Sequence, residues 1–158
     1  MEKAAIMTDT NSGITPDIAE KNGIFLLKMP FFADGKEYTE YVDMRYEDFF
    51  EKLNGGAEVS TSQPSPGALT DMWDEILKEY NELVYIPMSS GLSGTYSTAA
   101  ALSEEYNGRV FVADSRRISV TLYSDVFRAL RLAESGLSAA EITERAVSIL
   151  KQFIAIIA

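Results

Sequence analysis

Short apolar runs alternate with helix-length amphipathic segments along the chain, the pattern of an α/β domain with a mainly parallel sheet flanked by helices. Ala4–Thr8 reads as a first strand, and Asp9-Thr10-Asn11-Ser12-Gly13 as the loop that follows it. Thr15 is an N-cap with Pro16 at the first helical position, and Gly23 stops that short helix. Ile24–Phe32 is the second strand, ending in a turn at Ala33-Asp34-Gly35-Lys36. Helices are expected over Arg45–Leu53, ended by Asn54-Gly55-Gly56, and over Pro66–Tyr80, capped by Ser65. Leu83–Met88 is the next strand, followed by a loop and a helix reaching about Tyr106, and Arg109–Ala113 is another strand. Two helices follow: Val120–Glu134, stopped by Gly136, and one opened by Ser138 with Glu141 three residues on, a capping box. The apolar "FIAIIA" of Phe153–Ala158 reads as a strand that needs a covering neighbour.

At 158 residues this is one domain, 1–158, with residues 152–158 as the start of a strand that leads onward. The longest apolar runs fall short of the roughly 20 residues that span a bilayer, so no stable membrane insertion is expected. "MEKAAIMTDT" lacks the basic and apolar pattern of a secretory signal, which makes the cytoplasm the expected location. The chain has no cysteine and no histidine. Disulfides, thiolate nucleophiles, a Ser-His-Asp triad and His-ligated metals are therefore excluded. A formal charge of −10 without a Lys/Arg cluster argues against nucleic acid and anionic membrane surfaces as partners.

The candidate chemistry gathers in three loops at strand ends or before helices: Thr8–Ser12, Ser60–Pro66 and Ser89–Thr95. That rim of a parallel sheet is where ligands bind. "SSGLSGT" supplies Ser89, Ser90, Ser93 and Thr95, with Gly91 and Gly94 permitting close backbone approach at a helix start. Plain helix capping explains one hydroxyl there; four together form a neutral anion cradle. Neither G-x-x-x-x-G-K-[ST] nor G-x-G-x-x-G occurs, which weakens nucleotide readings. Asp9 and Asp114 each end an apolar strand; they either hold their own loops or share a magnesium ion through water. Trp73, Met72, Ile76 and Leu77 follow helical spacing and belong to a core. Tyr38, Tyr41, Tyr46, Phe49 and Phe50 form an aromatic group that serves as core or walls an apolar cavity, and the run through Glu37, Glu40 and Asp43 is a solvated face.

"VSTSQPSPGALTDMWDEI", "MSSGLSGTYSTA" and "VFVADS", in this order behind "MTDT", resemble the DegV family of bacterial fatty acid-binding proteins, over essentially the whole chain as its N-terminal region. The resemblance implies a carrier that holds a long-chain fatty acid and presents its carboxylate to a fatty acid kinase subunit for phospholipid synthesis, with no metal, organic cofactor or catalytic residue of its own. It places the carboxylate on Thr61 and Ser93, with Ser62, Ser90, Gly94 and Thr95 in the supporting loops. It also implies a second α/β domain, absent from this chain, that shares the acyl tunnel. The segment after Asp114-Ser115, "RRISVTLYSDVFRAL", departs from the family in lacking glycines at the start of its helix. Two other readings stand beside this one: a magnesium-dependent phosphotransfer enzyme using Asp9 and Asp114, and a fragment of a two-domain lipid-binding protein that binds nothing.

Overall fold

The computed structural model describes residues 4–145. Four parallel strands, β1 (Ala5–Asp9), β2 (Phe25–Leu27), β6 (Leu83–Ile86) and β7 (Val110–Val112), form a sheet in the order β2-β1-β6-β7. In β1 and β6 successive side chains go to opposite faces, and both faces are buried. Ile6, Val84 and Ile86 join one core, while Ala5, Met7, Leu83 and Tyr85 join the other. The first core is covered by α5 (Ser119–Glu134), with Leu122, Val126 and Ala129 buried, together with Ala19 of α1 (Pro16–Asn22) and Ile142 of a helix over residues 139–145. The second is covered by α3 (Pro66–Glu79), through Leu69, Trp73 and Ile76, and by Ala99 of α4 (Thr95–Ser103). This is the expected parallel α/β sheet with helices on both faces.

Local signals set the helix ends. Thr15 accepts the amide of Ile18 and Gly23 closes α1 at φ 65°; Ser65 caps α3 through the Ala68 amide. The Ser138 amide and hydroxyl both donate to Glu141 Oε2 at 2.9 Å, which makes the capping box real and, through the backbone bond first, lowers the Glu141 pKa.

One expected strand is two. Ile24–Phe32 breaks at Lys28-Met29: β2 stays in the parallel sheet, and β3 (Pro30–Ala33) enters a separate antiparallel sheet of order β4-β3-β5. Pro30 has no amide to continue a ladder, and Met29 spends its own on Thr10 Oγ1 at 3.1 Å and its carbonyl on the Glu40 amide at 3.0 Å. The turn after β3 has Asp34 and Gly35 at φ 51° and 74°, the geometry of a two-residue hairpin, so β4 (Lys36–Thr39) folds back on β3. β5 (Val59–Thr61), whose Ser60 and Thr61 read from the sequence as loop, pairs on the other side of β3 with Thr61 opposite Phe31. Between them lies α2 (Tyr46–Asn54). The strand expected over Phe153–Ala158, and residues 152–158 with it, lie outside the described residues. Among the described residues no helix is long and apolar enough to cross a membrane.

Candidate functional site

β1 and β6 are neighbours, yet the chain leaves β1 toward β2 on one side and β6 toward β7 on the other. That divergence opens a crevice at the carboxyl ends of the two strands. Asp9, the last residue of β1, bridges it: Oδ1 accepts the Asn11 amide at 3.0 Å and Oδ2 accepts the Met88 amide at 3.1 Å. Thr8 adds a second tie, its hydroxyl donating to the Ile86 carbonyl at 2.8 Å. Asp9 is wholly buried, and burial raises its pKa above the ordinary 3.8; the two amides oppose the shift and the charge of Glu40 adds to it. The Tyr85 hydroxyl lies beside it, buried without a well-formed hydrogen bond, and is pushed well above 10.0 by burial first and by the Asp9 charge next. Asn11 Nδ2 is likewise buried without a well-formed partner.

The loop after β6 is built from its own hydroxyls. The Ser89 amide donates to the Arg117 carbonyl at 2.9 Å, its Oγ accepts the Gly91 amide, and its carbonyl accepts those of Leu92 and Ser93. Ser93 Oγ accepts the Thr95 amide at 3.2 Å and lies 2.8 Å from Thr95 Oγ1. Either hydroxyl of that pair can donate; with Thr95 as the donor, Ser93 keeps its own proton for an acceptor outside the loop. Gly94 precedes α4, and a Cβ there would meet Gln63 Oε1 at 2.8 Å. Gln63 Oε1 also accepts from the Thr98 hydroxyl at 3.4 Å.

Thr61, Ser62, Ser93 and Gly94 line one cavity of about 240 Å³, together with Asn11, Gln63 and Glu40. Thr61 and Glu40 also line a second cavity of about 260 Å³, walled by Phe31, Tyr41, Met44, Phe49 and Val59. A hydroxyl-lined space and a mostly apolar one thus share Thr61 and Glu40 in their walls. The other two expected members are placed differently. Thr95 is buried beneath Ser93, and Ser90 turns to Asp114, its hydroxyl donating to Oδ2 at 2.5 Å and its amide to Oδ1 at 3.2 Å. Gln63 and Glu40 were not singled out as site residues from sequence. Gln63 sits inside the "TSQPSPG" block, whereas Glu40 reads as part of a solvated acidic face and is instead half-buried in the cavity walls.

Asp114 also accepts the Arg116 amide at 3.1 Å; burial opposes these bonds, yet they win and its pKa is lowered. Both aspartates are therefore engaged in holding loops, and among the described residues no group of three acidic, His or Cys side chains is positioned for a metal ion. Before and at the start of α5, Arg116 and Ser119 take φ 54° and 55°, a left-handed conformation that costs L residues about 1 kcal/mol or more. The aromatic group divides. Phe31 stacks on Tyr38 and meets Phe49 edge-on, and Phe49 and Tyr41 wall the apolar cavity rather than entering either central core.

A doubly covered parallel sheet with a hydroxyl-lined cavity at its switch point and an apolar cavity alongside has the architecture of a ligand-binding α/β domain. The family model described as "Uncharacterised protein, DegV family" matches residues 3–158, and the chain belongs to the DegV family. A DegV domain-containing protein of Staphylococcus aureus is 33% identical over 145 residues, which are 92% of this chain and 52% of that one. Among solved structures, a DegV family protein from Thermus thermophilus, described by its fatty acid binding, matches with a TM-score of 0.82 at 28% identity, over 91% of this chain and 52% of its own. DegV of Bacillus subtilis, described as a fatty acid binding protein, matches with a TM-score of 0.83 at 25% identity, over 92% and 53%. The chain spans about half the length of these relatives.

Proposed function

We propose that this chain holds the carboxylate of a long-chain fatty acid against Thr61 and Ser93, with the start of the acyl chain in the neighbouring apolar cavity. The observation that carries the reading is that Thr61 lines both spaces, so one hydroxyl stands where a polar head meets an apolar tail. Fatty acid binding by relatives of the same fold supports it. The head is neutralised by donors rather than by a buried cation: the Thr61 and Ser93 hydroxyls, with amides near Gly94 and the start of α4. The tail supplies most of the affinity, at about 0.8 kcal/mol per buried methylene. In this reading Ser62 supports its own loop, its hydroxyl donating to the Gln63 carbonyl at 3.2 Å, whereas Ser90 and Thr95 shape the loop after β6. The protein acts as a cytoplasmic carrier, without catalytic residues or cofactor, that presents the carboxylate to a fatty acid kinase.

The test is mass spectrometry of the purified protein, native and after organic extraction. A long-chain fatty acid bound one to one is the expected result; protein that carries none and takes up none when it is supplied would establish the non-binding fragment instead. Thr61→Ala and Ser93→Ala should each weaken binding by about 1 to 3 kcal/mol in a fatty acid titration. Magnesium-dependent turnover lost on Asp9→Asn would return the phosphotransfer reading.

A further inference from the structure

The loop that joins β7 to α5 carries a backbone it would not keep unaided. Arg116 and Ser119, on either side of Arg117 and Ile118, lie at φ 54° and 55°, a left-handed conformation unfavourable to L residues. Two contacts hold the segment from outside. Asp114 accepts the hydroxyl and the amide of Ser90. Farther along, Arg117 Nε lies 3.3 Å from Asp125 Oδ2 on α5. Asp125 is buried on the helix face that carries Leu122, Val126 and Ala129 into the core, and Arg117 is mostly covered. Oδ2 has no well-formed hydrogen bond, so charge attraction holds the pair. Burial pushes the Asp125 pKa above 3.8, and the charges of Arg117 and then Arg128 pull against that shift. A buried carboxylate left without its cation is costly, which keeps the Arg117 side chain at this place.

The two contacts lead to different parts of the loop after β6. The Asp114 contact ends on Ser90, whose hydroxyl it consumes. The Arg117 carbonyl accepts the Ser89 amide at 2.9 Å, and the Ser89 carbonyl in turn accepts the amides of Leu92 and Ser93 at 3.0 and 3.2 Å. A continuous set of contacts thus runs from α5 through Arg117 and Ser89 to Ser93 in the wall of the polar cavity. We infer that Arg117 and Asp125 are positioning residues for the ligand head: their pairing fixes the Arg117 carbonyl and, through Ser89, the place of the Ser93 hydroxyl. Neither is among the residues that line the cavity, so both act through the loop. The inference rests on the fatty acid reading of Ser93, and it can fail while that reading stands.

The experiment is a double-mutant cycle read by palmitate titration. Asp125→Asn and Arg117→Met each remove the charge pairing while leaving the Arg117 backbone carbonyl in the chain, and each is made in the wild-type, Ser93→Ala and Thr61→Ala proteins. Either variant should weaken palmitate binding about five- to ten-fold in the wild-type and Thr61→Ala proteins, and by no more than about two-fold in Ser93→Ala. A pair that served stability alone would lower the folded fraction alike in all three, and a urea melt of each variant measures that fraction separately. The two variants alter opposite partners, so if one fails to fold the other decides. A loss that persists undiminished in Ser93→Ala, or no loss in the wild-type protein, overturns the inference while leaving wild-type fatty acid binding intact. Wild-type protein that takes up no palmitate removes the fatty acid reading and this inference together.

Discussion

Asp9 does two things that conflict. Its carboxylate ties the Asn11 and Met88 amides, and so holds two cavity-lining loops in register, while its complete burial disfavours the charge that makes those bonds strong. Burial prevails, and the folded pKa lies above the unfolded 3.8. The folded protein therefore binds the Asp9 proton more tightly than the unfolded chain does. Its contribution to stability is fully present below about pH 3.8 and is lost as the pH rises through the folded value. Asp114 and Glu141, with lowered pKa values, act in the opposite sense and lose their contribution as the pH falls through their folded values. Chemical denaturation of wild type and Asp9→Asn across pH 3 to 7 should show wild type gaining stability relative to the variant as the pH drops. At this scale the sequence located the hydroxyls but not their partners. Ser90 and Ser93 are alike in the string "SSGLSGT", and only the approach of Asp114 from another strand end decides that Ser90 is consumed in holding the loop.

At the scale of elements, the long helices and central strands were legible because their signals are local or periodic. Ser65-Pro66 opens α3, and the alternation within Leu83–Ile86 serves two buried faces. The C-terminal end of α3 is closed from a distance. Arg109, just before β7, donates from Nη2 to the Leu77 and Tyr80 carbonyls at 2.9 and 3.0 Å and from Nε to Asn81 at 2.9 Å, satisfying carbonyls that the helix itself leaves open. Arg109→Met keeps the aliphatic stem and should lower stability by about 1 kcal/mol in a urea melt, with ligand affinity unchanged. The small antiparallel sheet was the part least visible. Val59–Thr61 is three residues long and carries no apolar alternation; it is a strand because β3 offers it an open edge.

For the whole molecule, size is the deciding quantity. The two adjoining cavities, about 240 and 260 Å³, are each smaller than the roughly 300 to 1,000 Å³ of typical ligand sites, and on the proposed reading they take the head and the first part of an acyl chain. Leu92, which lines the polar cavity, is 63% exposed, leaving apolar surface at the mouth of the site. In a titration of saturated acids from octanoate to stearate, affinity should rise by about 0.8 kcal/mol per methylene at first and then level off, at a shorter length than in a relative of twice this size.

The sequence by itself determined the α/β class, the positions of the main helices and central strands, the family, and two hydroxyl-bearing loops that line the polar cavity. These follow from periodicity, capping chemistry and motif blocks, all carried by residues close in the chain. The tertiary structure alone decided that Ile24–Phe32 divides between two sheets, that Thr61 stands in the walls of both cavities, that Asp9 joins the ends of β1 and β6, and that Glu40 lines the site instead of facing solvent. Each of these depends on residues brought together from distant parts of the chain, and a one-dimensional pattern carries no record of which strand edge or loop will be its neighbour.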